Sequence, residues 1–155
     1  MIRIEHLYLS PGHNYFGHHG KPADEHPVVS ASSLECIAGR GIRGDRFFDY
    51  KPDYKGQITF FSVEIYDELC AALLPSAVRP PPSAFRRNVI TRGVDLNTLI
   101  GQEFTIQGVT FLGAAECSPC YWMDQAFAPG TEAALKGRGG LRAKILTDGF
   151  LRIDA

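Results

Sequence analysis

Residues 103–115 read EFTIQGVTFLGAA, and this stretch decides the fold class. Two apolar alternations flank Gln107-Gly108, where a glycine supplies the positive φ that a tight hairpin turn needs. Working outward, IRIEHLYLS (2–10), GQITFFSV (56–63) and AKILTDGFLRI (143–153) place β-branched or aromatic residues at every second position, which predicts further strands. A second tight turn is expected at Thr147-Asp148-Gly149. Helical spacing is scarcer. SVEIYDELCAALL (62–74) carries Ile65, Leu69 and Leu73 four apart behind Ser62, a good N-cap. Pro75 and the run Pro80-Pro81-Pro82 then stop that helix and stiffen the connection. Shorter helices are expected around 130–136, after Pro129, and at 96–100, where Asp95 can cap. The sum is a mainly β domain with a few short helices. Sixteen glycines and ten prolines suit many tight turns, and a closed or partly closed β-barrel would remove exposed strand edges.

A chain of 155 residues accommodates one domain with a sizeable core. Sixteen basic against seventeen acidic side chains give a net charge of −1, so no global field draws it to nucleic acid or to a membrane surface. The opening MIRIEHLYLS is too short and too charged for a signal peptide, and no apolar run reaches the roughly 18–20 residues of a spanning helix. Cys36, Cys70, Cys117 and Cys120 follow no disulfide-like spacing, which fits a reduced, cytoplasmic protein.

Charge is concentrated locally. In GRGIRGDRFFDY (39–50), three glycines and three arginines interleave within eight positions. Such glycines let a backbone approach an anion, and Arg40, Arg43 and Arg46 can add forked donors. The plainer alternative is a surface loop whose arginines pair with Asp45 and Asp49. Arg86, Arg87 and Arg92 surround Asn88 in AFRRNVITRG (84–93). If that segment is extended, alternation places Arg86, not Arg87, on the side of Asn88; a solvated strand edge is the bland alternative. LKGRGGLRAKIL (135–146) forms a third basic, glycine-bearing stretch. Three such segments favour one anionic small ligand if they converge. His13, His18, His19 and His26 lie in SPGHNYFGHHGKPADEH without metal-site spacing, as expected of a surface loop; if that loop covers a pocket, His18, His19 or Lys21 can reach a ligand.

Cys117 and Cys120 form C-S-P-C, which fits a dithiol, half of a zinc site or one working thiolate. No second C-x-x-C accompanies it, so zinc is not expected. A thioredoxin-like dithiol needs a helix directly after a strand, and the preceding strand here belongs to a hairpin. Both arguments point to a single special thiolate.

GIRGDRFF, ITFFSVE, RRNVITRGVDLNTLIGQEFTIQGVTFLG, SPC and GRGGLRAKILTDG, taken in that order, resemble the MOSC family, named for the C-terminal domain of molybdenum-cofactor sulfurases. The match spans most of the chain as a single domain over 1–155; residues 1–28, a strand and the histidine loop, match least. The resemblance is to the small stand-alone bacterial type. It implies a β-barrel-like fold and a functional cysteine at Cys120, either a molybdenum ligand in the molybdenum cofactor (molybdopterin) or a persulfide carrier. It also implies Gly44, Asp45 and Arg46 near the pterin pocket, and Arg86 and Asn88 as contacts to the pterin and its phosphate; Arg43, from the same glycine-rich loop, is a further candidate for holding the cofactor. A thiolate suits molybdenum, and arginines suit an anionic phosphate. The expected activity is reduction of N-hydroxylated compounds with electrons from an external donor protein. The alternatives are a sulfur carrier served by a sulfur-donor protein and a non-catalytic cofactor-binding module. Cys117 is then the bystander.

Overall fold

The computed structural model describes residues 2–11, 28–74, 79–119 and 122–155. Among them, ten strands form two sheets. β1 (Arg3–Leu9), β2 (Val29–Ser30), β5 (Ile58–Ser62), β6 (Val89–Arg92), β7 (Glu103–Ile106), β8 (Val109–Glu116) and β9 (Leu141–Ile145) make the larger one, in the order β2-β1-β6-β5-β9-β8-β7. β3 (Ser33–Ile37), β4 (Gly41–Ile42) and β10 (Gly149–Arg152) make the smaller one, in the order β10-β3-β4. Every pairing is antiparallel except β5 with β6. The parallel pair requires a crossover, and α1 (Val63–Leu73) supplies it.

The expected elements form for the expected reasons. Gln107 and Gly108 both have positive φ (52° and 82°), which matches the twist of β7 and β8 across a two-residue turn. Ser62 caps α1, its Oγ accepting from Ile65 N at 3.2 Å. Asp95 caps a 3-10 turn at Leu96–Leu99 by accepting from Asn97 N. α3 (Thr131–Ala134) falls within the short helix expected after Pro129. The bend at Thr147–Asp148 leads from β9 in one sheet to β10 in the other; Asp148 accepts from Ala38 N (2.7 Å), and Thr147 Oγ1 accepts from Thr110 N (2.9 Å).

Alternation along β5 and β6 divides the core in two. Ile58, Phe60 and Val89 face the smaller sheet, together with Leu34, Cys36, Ile42 and Leu151. Phe61 and Ile90 face α1, α2 (Trp122–Ala126) and α3, meeting Tyr66, Leu69, Phe85, Met123 and Leu135. Within this second core Phe61 stacks on Phe85 (ring centroids 4.6 Å apart) and Phe85 meets Phe127 at 4.9 Å.

The sheets do not close into a barrel. The larger ends at β2 and β7, the smaller at β4 and β10. Where closure would need a backbone ladder along β10, a side chain stands in. Gln107 Nε2 donates to Arg152 O (2.8 Å), and its Oε1 accepts from Arg152 N (2.7 Å). Asp154 similarly joins the end of the chain to β1, pairing with Ile4 through both its backbone N–H (3.0 Å) and its carboxylate (2.7 Å). Side-chain bridges satisfy these edges without forcing the curvature of a closed cylinder.

Candidate functional site

The site lies where β1 ends and β6 begins. Leu7 pairs with Val89 and Tyr8 N donates to Asn88 O at 2.8 Å, so Ser10 emerges beside the start of β6. The loop after β4 arrives at the same place, Arg46 N donating to Ser10 O at 2.8 Å. Gly44, at φ 87°, supplies the turn that delivers Asp45 and Arg46, and it is exposed with open space around it.

Asp45 is buried and acts as a clip. Its Oδ1 accepts from Ser10 N (3.0 Å) and Asn88 Nδ2 (3.2 Å), and its Oδ2 accepts from Phe47 N (3.3 Å). Asn88 is saturated within the protein. Its two amide hydrogens go to Asp45 and to Tyr8 O (3.2 Å), and its Oδ1 accepts from Thr59 N (3.0 Å) and Thr59 Oγ1 (3.1 Å). Asn88 therefore supports the site from beneath.

Two guanidinium groups meet above this support. Arg46 Nη1 lies 3.4 Å and Arg86 Nη2 lies 3.5 Å from Ser10 Oγ. Arg46 also covers the Phe47 ring at 4.8 Å, and Arg86 faces the Trp122 ring at 6.0 Å. Among the described residues, Ser10 thus touches two guanidinium groups and one carboxylate. Cys120, His13, His18, His19, His26 and Lys21 lie outside the described residues. Trp122, two positions after Cys120 in the sequence, lies against Arg86.

The extended conformation expected at Arg86 is corrected. Arg86 is left-handed (φ 59°, ψ 38°) and ends a 3-10 turn at Pro82–Phe85. Alternation therefore does not govern which arginine faces the site. Arg86 turns to Ser10, whereas buried Arg87 turns to the cysteine loop. Arg87 Nε and Nη2 donate to Gly139 O (3.1 and 3.0 Å), Nη1 donates to Phe85 O (2.8 Å), and Nη2 reaches Cys117 O (3.4 Å).

The three basic segments converge only in part. Arg40 pairs with Asp49, Arg43 with Glu35, Arg138 with Glu68 and Lys144 with Asp53, all toward solvent. Arg43 lies over Phe48 and is not among the groups at Ser10. The third segment contributes backbone instead: Gly140 O accepts from Cys117 N (2.8 Å), and Gly139 N donates to Glu116 Oε2 (3.2 Å).

The argument against a strand-to-helix setting for C-S-P-C is also corrected. β8 runs into Cys117–Pro119, and the one-turn helix α2 begins at Trp122. Met123 and Phe127, four apart and both buried, are the signal in the sequence for this helix. Ser10 and Trp122 give no signal in the sequence, and Arg87 is set aside there in favour of Arg86, because their roles arise from segments 30 to 80 positions away. Burial pushes the Cys36 thiol up to about 12, with Glu35 adding to the shift, so this cysteine is packing. Among the described residues no three His, Cys, Asp or Glu side chains are grouped to hold a metal ion, and no helix is long and apolar enough to cross a membrane.

Comparison with curated proteins gives no match. Among solved structures, the chain is similar to the YuaD protein from Bacillus subtilis, at 19% identity and TM-score 0.74, over 98% of this chain and 92% of that one. It is also similar to YiiM from Escherichia coli, at 18% identity and TM-score 0.65, over 82% of this chain and 62% of that one. YiiM from Geobacillus stearothermophilus gives 12% identity and TM-score 0.65, over 98% and 71%. At these identities the likeness is one of fold. The family model for the MOSC domain matches residues 17–154, nearly the whole length, and the chain belongs to the MOSC domain family.

Proposed function

We propose that the protein binds the molybdenum cofactor at the Ser10 site, with Cys120 as the protein ligand to molybdenum, and that it reduces N-hydroxylated compounds. The observation that carries this reading is the meeting of Arg46 and Arg86 at Ser10 Oγ, on a base fixed by Asp45 and Asn88. That donor set fits the anionic end of a phosphorylated pterin, since each guanidinium offers a fork of N–H groups to phosphate oxygens. When bound, the group supplies oxygen-atom transfer and two-electron chemistry, and a thiolate is a fitting soft ligand for its metal.

The chain's own residues do the rest. Arg46 and Arg86 hold the phosphate, and Ser10 Oγ orients both. Asp45 keeps Ser10 and the Phe47 backbone in place and offsets one of the two cations. Trp122 bounds the site on the side of Arg86. Reduction of an N–OH to N–H and water takes two electrons and two protons, and an external redox protein provides the electrons.

The test is molybdenum and pterin content of protein made in a host that synthesises the cofactor. Stoichiometric molybdenum in the wild type, lost in Cys120→Ser and retained in Cys117→Ser, is the expected result. Arg46→Ala with Arg86→Ala lowers cofactor occupancy roughly tenfold or more, from the loss of two charged hydrogen-bonding groups. Wild-type protein without molybdenum, or equal loss in both cysteine variants, overturns the reading.

A sulfur carrier is the second reading, favoured by the surroundings of the cysteine loop. Ser118 and Pro119 border a cleft of about 430 Å³ shared with Glu132 and Lys136. Ser118 is exposed there, so a donor protein can reach this loop. The carrier reading expects a reductant-sensitive mass increase of one sulfur atom on Cys120, without stoichiometric molybdenum.

A further inference from the structure

A buried arginine normally meets a carboxylate, because an unpaired charge away from water is costly. Arg40, Arg43, Arg138 and Lys144, all less buried than Arg87, have such partners. Arg87 is buried to 8% exposure, and its hydrogen bonds go to three backbone carbonyls: Phe85, Gly139 and Cys117. These carbonyls belong to three separate pieces of chain: the turn that ends at Arg86, the lead-in to β9, and the first residue of the C-S-P-C loop. A second close contact holds two of these pieces together, the lead-in to β9 and the C-S-P-C loop. A Cβ on Gly139 would stand 2.2 Å from Cys117 O and 3.0 Å from Pro119 Cδ, so only glycine permits this approach.

We propose that Arg87 is a positioning residue for the cysteine loop: it fixes Cys117–Pro119 against Gly139. Lysine cannot replace it, since one ammonium does not span three carbonyls on different segments, whereas a planar fork does. The two consecutive arginines thus divide their work, Arg86 at the Ser10 site and Arg87 beneath the loop. The meaning of this for function rests on the reading of Cys120 as the working sulfur.

The test uses cofactor-free full-length protein, so it is independent of whether molybdenum binds. Iodoacetamide labelling of the native protein is followed at each cysteine by peptide mass spectrometry, for wild type, Arg87→Gln, Arg87→Lys and Gly139→Ala. In Arg87→Gln and Gly139→Ala, the labelling rates at Cys117 and Cys120 change roughly tenfold, the scale of losing a charge-assisted hydrogen-bond set. Arg87→Lys fails to restore them. Cys36 and Cys70, in the two cores, stay within about twofold of wild type, so a general loosening of the fold is distinguished from a local shift. Rates at Cys117 and Cys120 unchanged in Gly139→Ala and Arg87→Gln, or rising in parallel with those at Cys36 and Cys70, overturn the proposal. If Arg87→Gln does not fold, Gly139→Ala with Arg87 intact decides the matter by the same four rates. A local change in protein that never acquires molybdenum leaves Arg87's role standing and removes the cofactor reading alone.

Discussion

Individual side chains here differ sharply in what their surroundings allow. Cys36 is sealed between the sheets with its thiol raised to about 12, so in native protein at pH 8 it labels far more slowly than half-buried Cys117. Iodoacetamide mapping checks this, and labelling of Cys36 at the rate of Cys117 would contradict the packing described. Glu64 behaves in the opposite sense. Burial would raise its carboxyl, but hydrogen bonds from Gly93 N–H, its own N–H and the Ser62 hydroxyl, with Arg92 nearby, hold it below the usual carboxylate range. A lowered folded pKa means that its stabilisation is present above the unfolded value and fades as pH falls through the folded one. Glu64→Gln therefore flattens the loss of stability on acidification below the ordinary glutamate range, as urea titrations at stepped pH would register. Asp45 serves Ser10 N, Asn88 Nδ2 and Phe47 N together. Asp45→Ala leaves these donors unpaired and costs about 1–3 kcal/mol in urea unfolding, the scale for buried groups left without partners. A smaller change in an intact fold would show that water replaces the carboxylate.

At the level of elements, the legible parts were those governed by neighbours in sequence. Ser62 announces α1 and Asp95 announces its 3-10 turn because a cap is a contact over two or three positions. Ser62→Ala costs about 1 kcal/mol, read as a shift in the urea midpoint at constant slope. The hairpin at Gln107-Gly108 is equally local. What escaped the sequence was conformation imposed from afar. Arg86 is left-handed because Phe85 is drawn into the Phe61–Phe127 column while the following residues must join β6. No pattern within 84–93 encodes that requirement. α2 escaped for a different reason: it is a short helix of five residues, marked in the sequence only by Met123 and Phe127. Gly113 shows how tightly elements meet, since a Cβ there would lie 2.0 Å from Leu99 O. Gly113→Ala forces the turn at Leu96–Leu99 away from β8 and lowers the melting temperature by several degrees, as strain of a few kcal/mol requires.

Across the whole molecule, one core draws on both sheets and the other joins the larger sheet to the helices. β5 and β6 contribute to both cores, so neither layer holds together without the other. Urea unfolding followed by Trp122 fluorescence and by far-UV circular dichroism then gives coincident transitions; an earlier change in Trp122 would mark the site side as a separate unit. The sequence by itself determined the strand-rich class, the hairpin, the capped helix and the family, because periodicity, caps and turn chemistry act between neighbouring residues and ordered motifs survive inspection one by one. Only the tertiary structure decided that the sheets stay open, that Arg46 and Arg86 meet at Ser10 while Arg40, Arg43, Arg138 and Lys144 turn to separate carboxylates, and that Arg87 reaches the carbonyls beneath the cysteine loop. The physical reason is that a charged side chain is directed by acceptors brought near it through space, and those acceptors come from distant stretches whose meeting point is set by packing.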